Sequence, residues 1–346
     1  MNAPAISIVI PMFNAEKYIG ECLESLLAQT FQDFEVIIVD DCSTDNSVAV
    51  VKNYAPKFNG RLKLSRLEKN TGNGVAGRNK GLNLSRGEYI FNMDNDDLLT
   101  LTALTELYTL AKNFDADVVY CEKYFVARAD LSEIVIHSEQ RGGSFVEQPT
   151  LETENLAERV EKILQRDFWV TPWNKLVRRD LLIENEILFP PCIISDDDIW
   201  TYEIVFCAKK FLRVPNIVYI NRRAEDSITR AEKSARREIN FWSNPLIFGL
   251  KNLDEFMSRI NFFRQNPQYR LAILDHLANG RCFAQLARKC SAVSPLEFYE
   301  AIRDGFEKNL GEYNVLFAYL CTLIREQRKN LELKDEQIQR LLAQKN

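Results

Sequence analysis

An acidic segment in the first third of this 346-residue chain has the residue types and spacing of a cation site. Residues 94–97 read Asp-Asn-Asp-Asp and directly follow the apolar run 89–91. Because side chains alternate between the two faces of a strand, Asp94 and Asp96 are expected to project to the same side where that strand ends. Two carboxylates that converge on one point suit Mg²⁺ or Mn²⁺, which keeps other positions free for water and for the phosphates of a nucleotide. A ligand-free acidic turn is the alternative, but the position after a buried strand favours the metal site.

Short apolar runs alternate with amphipathic runs over the first 125 residues, and these elements must position the acidic segment. Strands are predicted at 6–10, 34–39, 61–67, 89–93 and 117–121, and helices at 18–27, 48–54, 74–84 and 101–113, with Asn14 as the side-chain cap of the first helix. The alternation predicts an α/β fold with a mostly parallel, Rossmann-like sheet flanked by helices. Ligands of such sheets bind at the carboxyl ends of the strands, where Pro11, Asp41 and Asp94 are expected.

Composition excludes several classes of protein. Hydrophobic residues make up 46% and charged residues 27%, as in an ordinary globular protein, and the net charge of −5 gives no general basic field for nucleic acid. The eight cysteines form no Cys-x-x-Cys pair and only two histidines accompany them, so neither a zinc cage nor a disulfide framework is predicted. No signal-length or membrane-spanning apolar run is found, which predicts a cytoplasmic protein, either free or against the inner face of the membrane.

A glycine-rich segment offers a competing interpretation. Residues 72–77 satisfy G-x-G-x-x-G, precede a predicted helix, and are followed about twenty residues later by Asp94, as in a dinucleotide-binding dehydrogenase. However, the polar linker 68–71 separates this segment from its strand, and two strand-helix units precede it. The dinucleotide interpretation is therefore disfavoured.

Six motifs in a fixed order give the chain its family resemblance. They are Ser-Ile-Val-Ile-Pro-Met-Phe-Asn at 7–14, Val-Ile-Ile-Val-Asp-Asp-Cys-Ser-Thr-Asp at 36–45, Asn-x-Gly at 70–72, Arg-Asn-Lys-Gly-Leu at 78–82, Gly-Glu-Tyr-Ile at 87–90 and Asp-x-Asp-Asp at 94–97. With these motifs the chain resembles the inverting family 2 glycosyltransferases of the bacterial polysaccharide type, which have a GT-A fold. The resemblance is strong over about 4–125 and recognisable to about 230. Two departures are Cys42, where the family usually has Gly, and Gly77, where it usually has Ala.

The resemblance implies an enzyme that moves a sugar from a nucleotide-diphosphate sugar, a UDP-hexose above all, to a saccharide or lipid-linked acceptor in cell-surface or capsular glycan synthesis. Pro11 and Phe13 would bind the donor, with Phe13 stacked on the base, and Asp41 would accept a hydrogen bond from the imide N–H of the base. The other donor-binding residues that the resemblance implies are Arg78, Asp94 and Asn95. Asp96, together with Asp94, would hold Mn²⁺ or Mg²⁺ against the diphosphate. For Phe13 a packing role, and for Arg78 a surface ion pair, are the alternatives.

An inverting transfer also needs a base on the acceptor side. The cluster 196–198, which precedes a predicted helix at 200–209, resembles the acidic pair of the family, with Asp198 as the base and Asp197 beside it. The alternative is structural, since acidic residues also stabilise the N-terminus of a helix.

The segment 171–182 resembles the part of the family that lines the acceptor cleft. Trp173 would present an apolar face to a sugar ring, and Lys175 would contact the diphosphate or an acceptor phosphate; a core tryptophan and a solvated lysine are the alternatives. Downstream, the basic residues Arg222, Arg223 and Arg230 are predicted to close over the diphosphate as a lid, with surface solvation as the competing interpretation.

From about residue 231 the pattern is helical, with helices predicted at 241–263, 271–287, 295–306 and 313–342. Three regions are thus predicted: a nucleotide-sugar-binding half at 1–125, an acceptor-binding half at 126–230 and a helical region at 231–346. The last helix is expected to pack within the chain, to form a homo-oligomer or to lie on a membrane surface.

Two other functions are the alternatives to a glycosyltransferase: a non-catalytic sugar-nucleotide-binding module and a nucleotidyltransferase.

Overall fold

The computed structural model describes residues 3–137, 145–223 and 233–343, and the side chains up to 335. The chain forms two compact units. The first takes the chain to Pro191 and again from Asp196 to Thr229, whereas the second takes Cys192–Ser195 and the chain from Arg230 onward.

The first unit is built on two sheets. The strands in chain order are β1 Ile6–Met12, β2 Phe34–Asp40, β3 Leu62–Arg66, β4 Tyr89–Asn92, β5 Leu98–Leu99, β6 Val118–Cys121, β7 Phe125–Arg128, β8 Ile134–Ile136, β9 Thr150–Leu151, β10 Lys175–Arg178, β11 Phe211–Val214 and β12 Tyr219–Arg223. The larger sheet has the order β3-β2-β1-β4-β10-β6-β11-β9, and the smaller has the order β5-β12-β7-β8. Strands β3, β2, β1 and β4 are parallel, whereas β10 lies antiparallel between β4 and β6. The predicted α/β fold is confirmed, as a mixed sheet whose first half is parallel.

Helices flank this sheet. They are α1 Ile19–Leu27, α2 Ser47–Tyr54, α3 Val75–Leu84, α4 Ala103–Phe114, α5 Leu156–Leu164, α6 Arg179–Glu184 and α7 Asp196–Cys207.

Two glycines let α3 approach β1 closely. A Cβ at Gly77 would lie 2.9 Å from the Cβ of Pro11, and a Cβ at Gly81 would overlap the side chain of Val9. Helix α3 is therefore held directly against the end of β1, where ligands of parallel sheets bind.

The predicted cap of the first helix is wrong. Helix α1 begins at Ile19, and no side chain caps it. Asn14 instead has a left-handed backbone, with φ of 47°, and its Oδ1 accepts hydrogen bonds from the N–H and the hydroxyl of Thr44 at 2.8 and 3.3 Å. Asparagine tolerates this conformation better than most residues, so here it joins the loops that follow β1 and β2.

The second unit is helical. Its helices are α8 Ala235–Ile247, α9 Gly249–Arg259, α10 Asn261–Gln265, α11 Pro267–Asp275, α12 Ala284–Lys289, α13 Pro295–Leu310 and α14 Asn314–Ala343, with a π-helical segment at His276–Phe283. The single helix predicted at 241–263 is divided into three. The core of the second unit includes Phe283, Phe298 and Ile302. Among the described residues, no helix is both long enough and apolar enough to cross a bilayer.

Candidate active site

The ends of β1 and β2 bring Phe13 and Asp41 together. The two strands pair in parallel up to Met12 and Asp40, so the next residue of each strand lies at the same edge of the sheet. The backbone N–H of Asp41 donates to the carbonyl of Met12 at 2.7 Å. Phe13 is 45% exposed and Asp41 only 4% exposed. An exposed aromatic ring thus adjoins a buried carboxylate.

The glycine-rich loop binds to Asp41. The carboxylate of Asp41 accepts hydrogen bonds from the N–H of Thr71 at 2.9 Å, from its hydroxyl at 3.0 Å and from the N–H of Gly72 at 3.3 Å. Asn70 donates to the carbonyl of Asp41 at 2.9 Å. The N–H of Gly72, the first glycine of the G-x-G-x-x-G segment, is thus engaged together with that of Thr71 by a carboxylate of the same chain instead of facing a pyrophosphate, which argues against the dinucleotide interpretation.

Hydrogen bonds from β12 hold the acidic segment 94–97 in place. The phenol of Tyr219 donates to Asp97 at 2.7 Å and accepts from the N–H of Asp94 at 3.1 Å, and the N–H of Arg222 donates to Asp97 at 2.7 Å. Asp97 is fully buried, and burial followed by the nearby carboxylate of Asp96 raises the pKa of Asp97 well above its ordinary value. Asp97 is therefore a structural anchor, which leaves Asp94 and Asp96 partly exposed at the surface of the loop.

Sequence reasoning gave no role to Tyr219, and its position in the sequence carries no signal for one. It meets Asp97 because β12 pairs antiparallel with β5, which directly follows the acidic segment. Asn95 ties the other side of the same loop to β1, since its amide donates to the carbonyl of Pro11 at 2.9 Å.

Arg78 joins the acidic segment to the second acidic cluster. Its guanidinium donates to Asp94 at 2.9 Å and lies 3.6 Å from a carboxylate oxygen of Asp196 and 3.5 Å from one of Asp197. Burial alone would lower the pKa of Arg78, but the three carboxylates outweigh it and raise that pKa. The structure therefore brings together the two regions for which the sequence predicts metal binding and proton transfer.

The second acidic cluster forms the first turn of α7, where the helix dipole favours negative charge. Burial raises the pKa of Asp196, and burial followed by the charge of Asp196 raises the pKa of Asp197 well above its ordinary value. Asp198 lies in the same turn and is 2% exposed. Burial of the cluster thus favours the protonated, neutral form of Asp196 and Asp197, whereas Arg78 beside them favours the charged form.

Trp173 and Lys175 are both buried. The indole of Trp173 stacks on the ring of Tyr219, with centroids 4.5 Å apart and planes 12° apart. The ammonium of Lys175 donates to the carbonyls of Trp169 and Thr171 at 2.7 and 2.6 Å, and burial lowers the pKa of Lys175 to about 7. In this conformation both side chains pack within the protein. Their acceptor contacts therefore stay predictions, and each requires the segment around them to move.

The basic residues near the end of β12 differ in their surroundings. Arg222 is buried, pairs with Glu21 at 2.5 Å and lies over the ring of Tyr18. It is therefore a fixed part of the strand instead of a lid. Arg223 is exposed. Arg230, the third predicted lid residue, lies outside the described residues.

The residues present fit a divalent cation. Asp94 and Asp96 offer the hard oxygen ligands that Mg²⁺ and Mn²⁺ prefer, and both are partly exposed on a loop that Asp97 anchors. Within the described part of the chain, no three His, Cys, Asp or Glu side chains converge on one point. One or two carboxylates suffice for Mg²⁺ when nucleotide phosphates and water complete its coordination.

Comparison with known proteins decides the family. The chain matches the family described as "Glycosyl transferase family 2" over residues 7–183, just over half of its length. This chain is a family 2 glycosyltransferase. It is 30% identical over 284 residues to the glycosyltransferase GlyG of Streptococcus pneumoniae serotype 4, which covers 78% of this chain and 89% of GlyG.

A second relative extends well beyond the matching region. The poly(ribitol-phosphate) beta-N-acetylglucosaminyltransferase TarS of Staphylococcus aureus is 30% identical over 228 residues, which cover 65% of this glycosyltransferase but only 36% of TarS. The crystal structure of TarS 1–349 in complex with UDP-GlcNAc superimposes with a TM-score of 0.66 at 21% identity, over 94% of this chain and 91% of that one. The predicted GT-A fold and enzyme class are thus confirmed.

Proposed function

We propose that this family 2 glycosyltransferase transfers a sugar, with inversion, from a UDP-sugar to a hydroxyl of a cell-surface glycan. The observation that carries the proposal is the position of Arg78, which contacts Asp94 at the end of β4 and the acidic first turn of α7. A single in-line displacement needs a leaving diphosphate on one side of the sugar and a base on the other. The two acidic sites linked by Arg78 can supply those two sides.

The donor is proposed to be a UDP-sugar. Phe13 is exposed enough to stack on a base, and Asp41 beside it can accept the imide N–H of uracil once Thr71 releases the carboxylate. The solved complexes of TarS with UDP-GlcNAc and with UDP support this choice, because that protein shares the fold.

Asp96, together with Asp94, is proposed to hold Mn²⁺ or Mg²⁺. When bound, the cation would neutralise negative charge on the departing diphosphate. Arg78 adds a positive charge next to Asp94, and its pairing with α7 keeps that charge in place.

Asp198 is proposed as the base. Its carboxylate would take the proton of an acceptor hydroxyl while that oxygen forms a bond to the anomeric carbon and the bond from that carbon to the diphosphate breaks. UDP leaves with the electron pair, and the anomeric carbon inverts. Asp197 beside it would orient the base and Arg78.

The acceptor is proposed to be a saccharide or a polyol-phosphate chain, free or lipid-linked. Relatives support this class by name: TarS, and a poly(ribitol-phosphate) beta-glucosyltransferase of Bacillus spizizenii, which is 33% identical over 208 residues.

The test is UDP release from a panel of UDP-sugars with Mn²⁺ or Mg²⁺ and then with chelator. Metal-dependent release from one donor is the expected result, and Asp96→Asn should remove it. UDP binding without turnover of any donor, with or without glycan acceptors, would instead support a non-catalytic sugar-nucleotide-binding module. A nucleotidyltransferase would release no UDP from these donors, but would release pyrophosphate when it is given a nucleoside triphosphate and a sugar 1-phosphate.

A further inference from the structure

Asn79, the residue after Arg78 on α3, clamps the segment that leads to α7. Its amide donates to the carbonyl of Phe189 at 2.9 Å and accepts from the N–H of the same residue, also at 2.9 Å. The two residues lie 110 positions apart in the sequence. Because both polar groups of the amide engage one backbone unit, loss of the side chain would leave two backbone groups to find other partners.

The ring of Phe189 connects this clamp to both sides of the site. It is buried and stacks on the indole of Trp200, with centroids 4.7 Å apart and planes 10° apart. The guanidinium of Arg78 lies over the same ring, 5.2 Å from its centroid. Trp200 is one turn beyond Asp196 and Asp197 on α7. The position of Phe189 thus affects both Arg78 and the helix that carries its acidic partners.

We propose that Asn79 is a positioning residue for sugar transfer, which holds Arg78 in register with the first turn of α7 through Phe189. This inference rests on the proposed function. Arg78 has one short contact, 2.9 Å to Asp94, and two longer ones of 3.5 and 3.6 Å to the α7 cluster. A shift of Phe189 by a few tenths of an ångström would change how the guanidinium is shared between the two acidic sites.

The clamp is expected to affect the chemical step more than recognition of the uracil base. The amide of Asn79 bonds to the segment before α7, whereas the residues proposed to bind the base lie at the ends of β1 and β2. A displacement of about 1 Å in a catalytic constellation can cost about 10²-fold in rate. Removal of the clamp is therefore expected to lower kcat while UDP affinity and the KM for the donor stay nearly constant.

The experiment compares Asn79→Ala and Asn79→Asp with Asn83→Ala, an exposed asparagine on the same helix. We expect both Asn79 variants to lower kcat by about 10- to 100-fold, with UDP affinity within about twofold of the wild type. Asn79→Asp keeps the size and one acceptor but cannot donate to the carbonyl and adds a negative charge, so a similar loss in the uncharged Asn79→Ala is needed to assign the effect to the hydrogen bonds. Asn83→Ala should leave kcat unchanged.

A double-mutant cycle separates positioning from general support of the fold. If Asn79 acts through Arg78, the loss of kcat from Asn79→Ala should fall to less than about threefold in an Arg78→Lys background. Additive losses, or equal losses of kcat and UDP affinity, would overturn the proposal. Phe189→Leu keeps the backbone clamp but removes the ring, so it should reproduce the kcat loss even if Asn79→Ala does not fold. A normal kcat in Phe189→Leu would also overturn the proposal.

Failure of the proposed function can be distinguished from failure of this inference. In that case the wild type would release UDP from no donor, and crystal structures of the wild type and Asn79→Ala would decide the inference. Separation of Arg78 from Asp196 and Asp197 by more than about 1 Å in the variant would support it. An unmoved guanidinium would refute it.

Discussion

Arg78 is the residue on which the proposed chemistry depends. Its guanidinium is surrounded by three carboxylates and packs on Phe189, so its charge is stabilised by neighbours from three different parts of the chain. Of these carboxylates, Asp94 is proposed to help hold the metal ion, and Asp197 is proposed to orient the base Asp198. Single substitutions should therefore separate donor binding, proton transfer and charge balance.

Proton transfer and metal binding are predicted to divide between Asp198 and Asp96. Asp198→Asn should lower transfer by about 10²- to 10⁴-fold, because a general base is lost, while UDP affinity remains near that of the wild type. Asp96→Ala should instead weaken the metal-dependent part of UDP binding itself. Calorimetric titration of UDP with and without Mn²⁺, beside a transfer assay, measures both. Equal loss of UDP binding in the two variants would contradict this division.

The stability of the site is predicted to depend on pH through Asp197. Burial and the charge of Asp196 raise the pKa of Asp197, so the folded state binds this proton more tightly than the unfolded state does. The resulting stabilisation is present at low pH and is lost as the pH rises from the unfolded pKa through the folded one. Asp197→Asn is neutral at every pH, so its melting temperature relative to the wild type should rise between pH 4 and pH 8. A difference that is constant across thermal unfolding scans in this range would contradict the prediction.

At the scale of elements, the contact between α3 and β1 places Arg78 and Asn79. Gly81 lies where an added Cβ would overlap Val9, and both backbones at this contact are regular. The neighbouring Gly77 leaves room for Pro11 in the same way. The spacing of two glycines four residues apart is therefore a packing requirement of this helix.

Gly81→Ala is predicted to destabilise the protein. Alanine favours a helix over glycine by about 1 kcal/mol, but overpacking against a buried strand costs about 1–3 kcal/mol, and here the overlap is with a β-branched side chain on rigid backbone. We expect a net loss of about 1–2 kcal/mol in the free energy of unfolding, measured by urea denaturation. Asn83→Ala, exposed on the same helix, should be neutral or slightly stabilising. A gain in stability for Gly81→Ala would contradict the prediction and would show that β1 shifts to make room for the added methyl group.

At the scale of the whole molecule, the first half of α14 leaves an apolar stripe uncovered. Val315, Leu316, Tyr319, Leu320 and Leu323 are each more than 40% exposed, while the opposite side of the helix packs in the core of the second unit. Monomeric proteins seldom expose apolar patches larger than a few hundred Å². The spacing of these residues suits contact with a second helix of the same kind.

The homo-oligomer that the sequence leaves open as one of three roles of the last helix is therefore expected to form through this stripe. Light scattering between about 1 and 100 µM should show self-association of the wild type, which the double variant Leu316→Glu, Leu320→Glu should abolish without loss of UDP affinity. Gln327→Glu, a charge change at an exposed polar position of the same helix, is the matched control. A wild type that is monomeric at every concentration would contradict the prediction.

The sequence by itself determined the strands and helices of the parallel half, the family and most of the candidate residues. These follow from local signals, because the alternation of apolar residues, the turn residues and the motif spacings each span only a few positions. The break of the predicted helix 241–263 and the left-handed Asn14 were missed, since packing and loop contacts override local preference there.

Only the tertiary structure decided which of these residues meet. The antiparallel β10, the stacking of Trp173 on Tyr219 and the burial of Lys175 depend on strand pairings between distant segments. The clamp of Asn79 on Phe189 joins residues 110 positions apart. No periodicity or motif in one sequence encodes such a contact, because it results from the closure of long loops against the packing of the whole sheet.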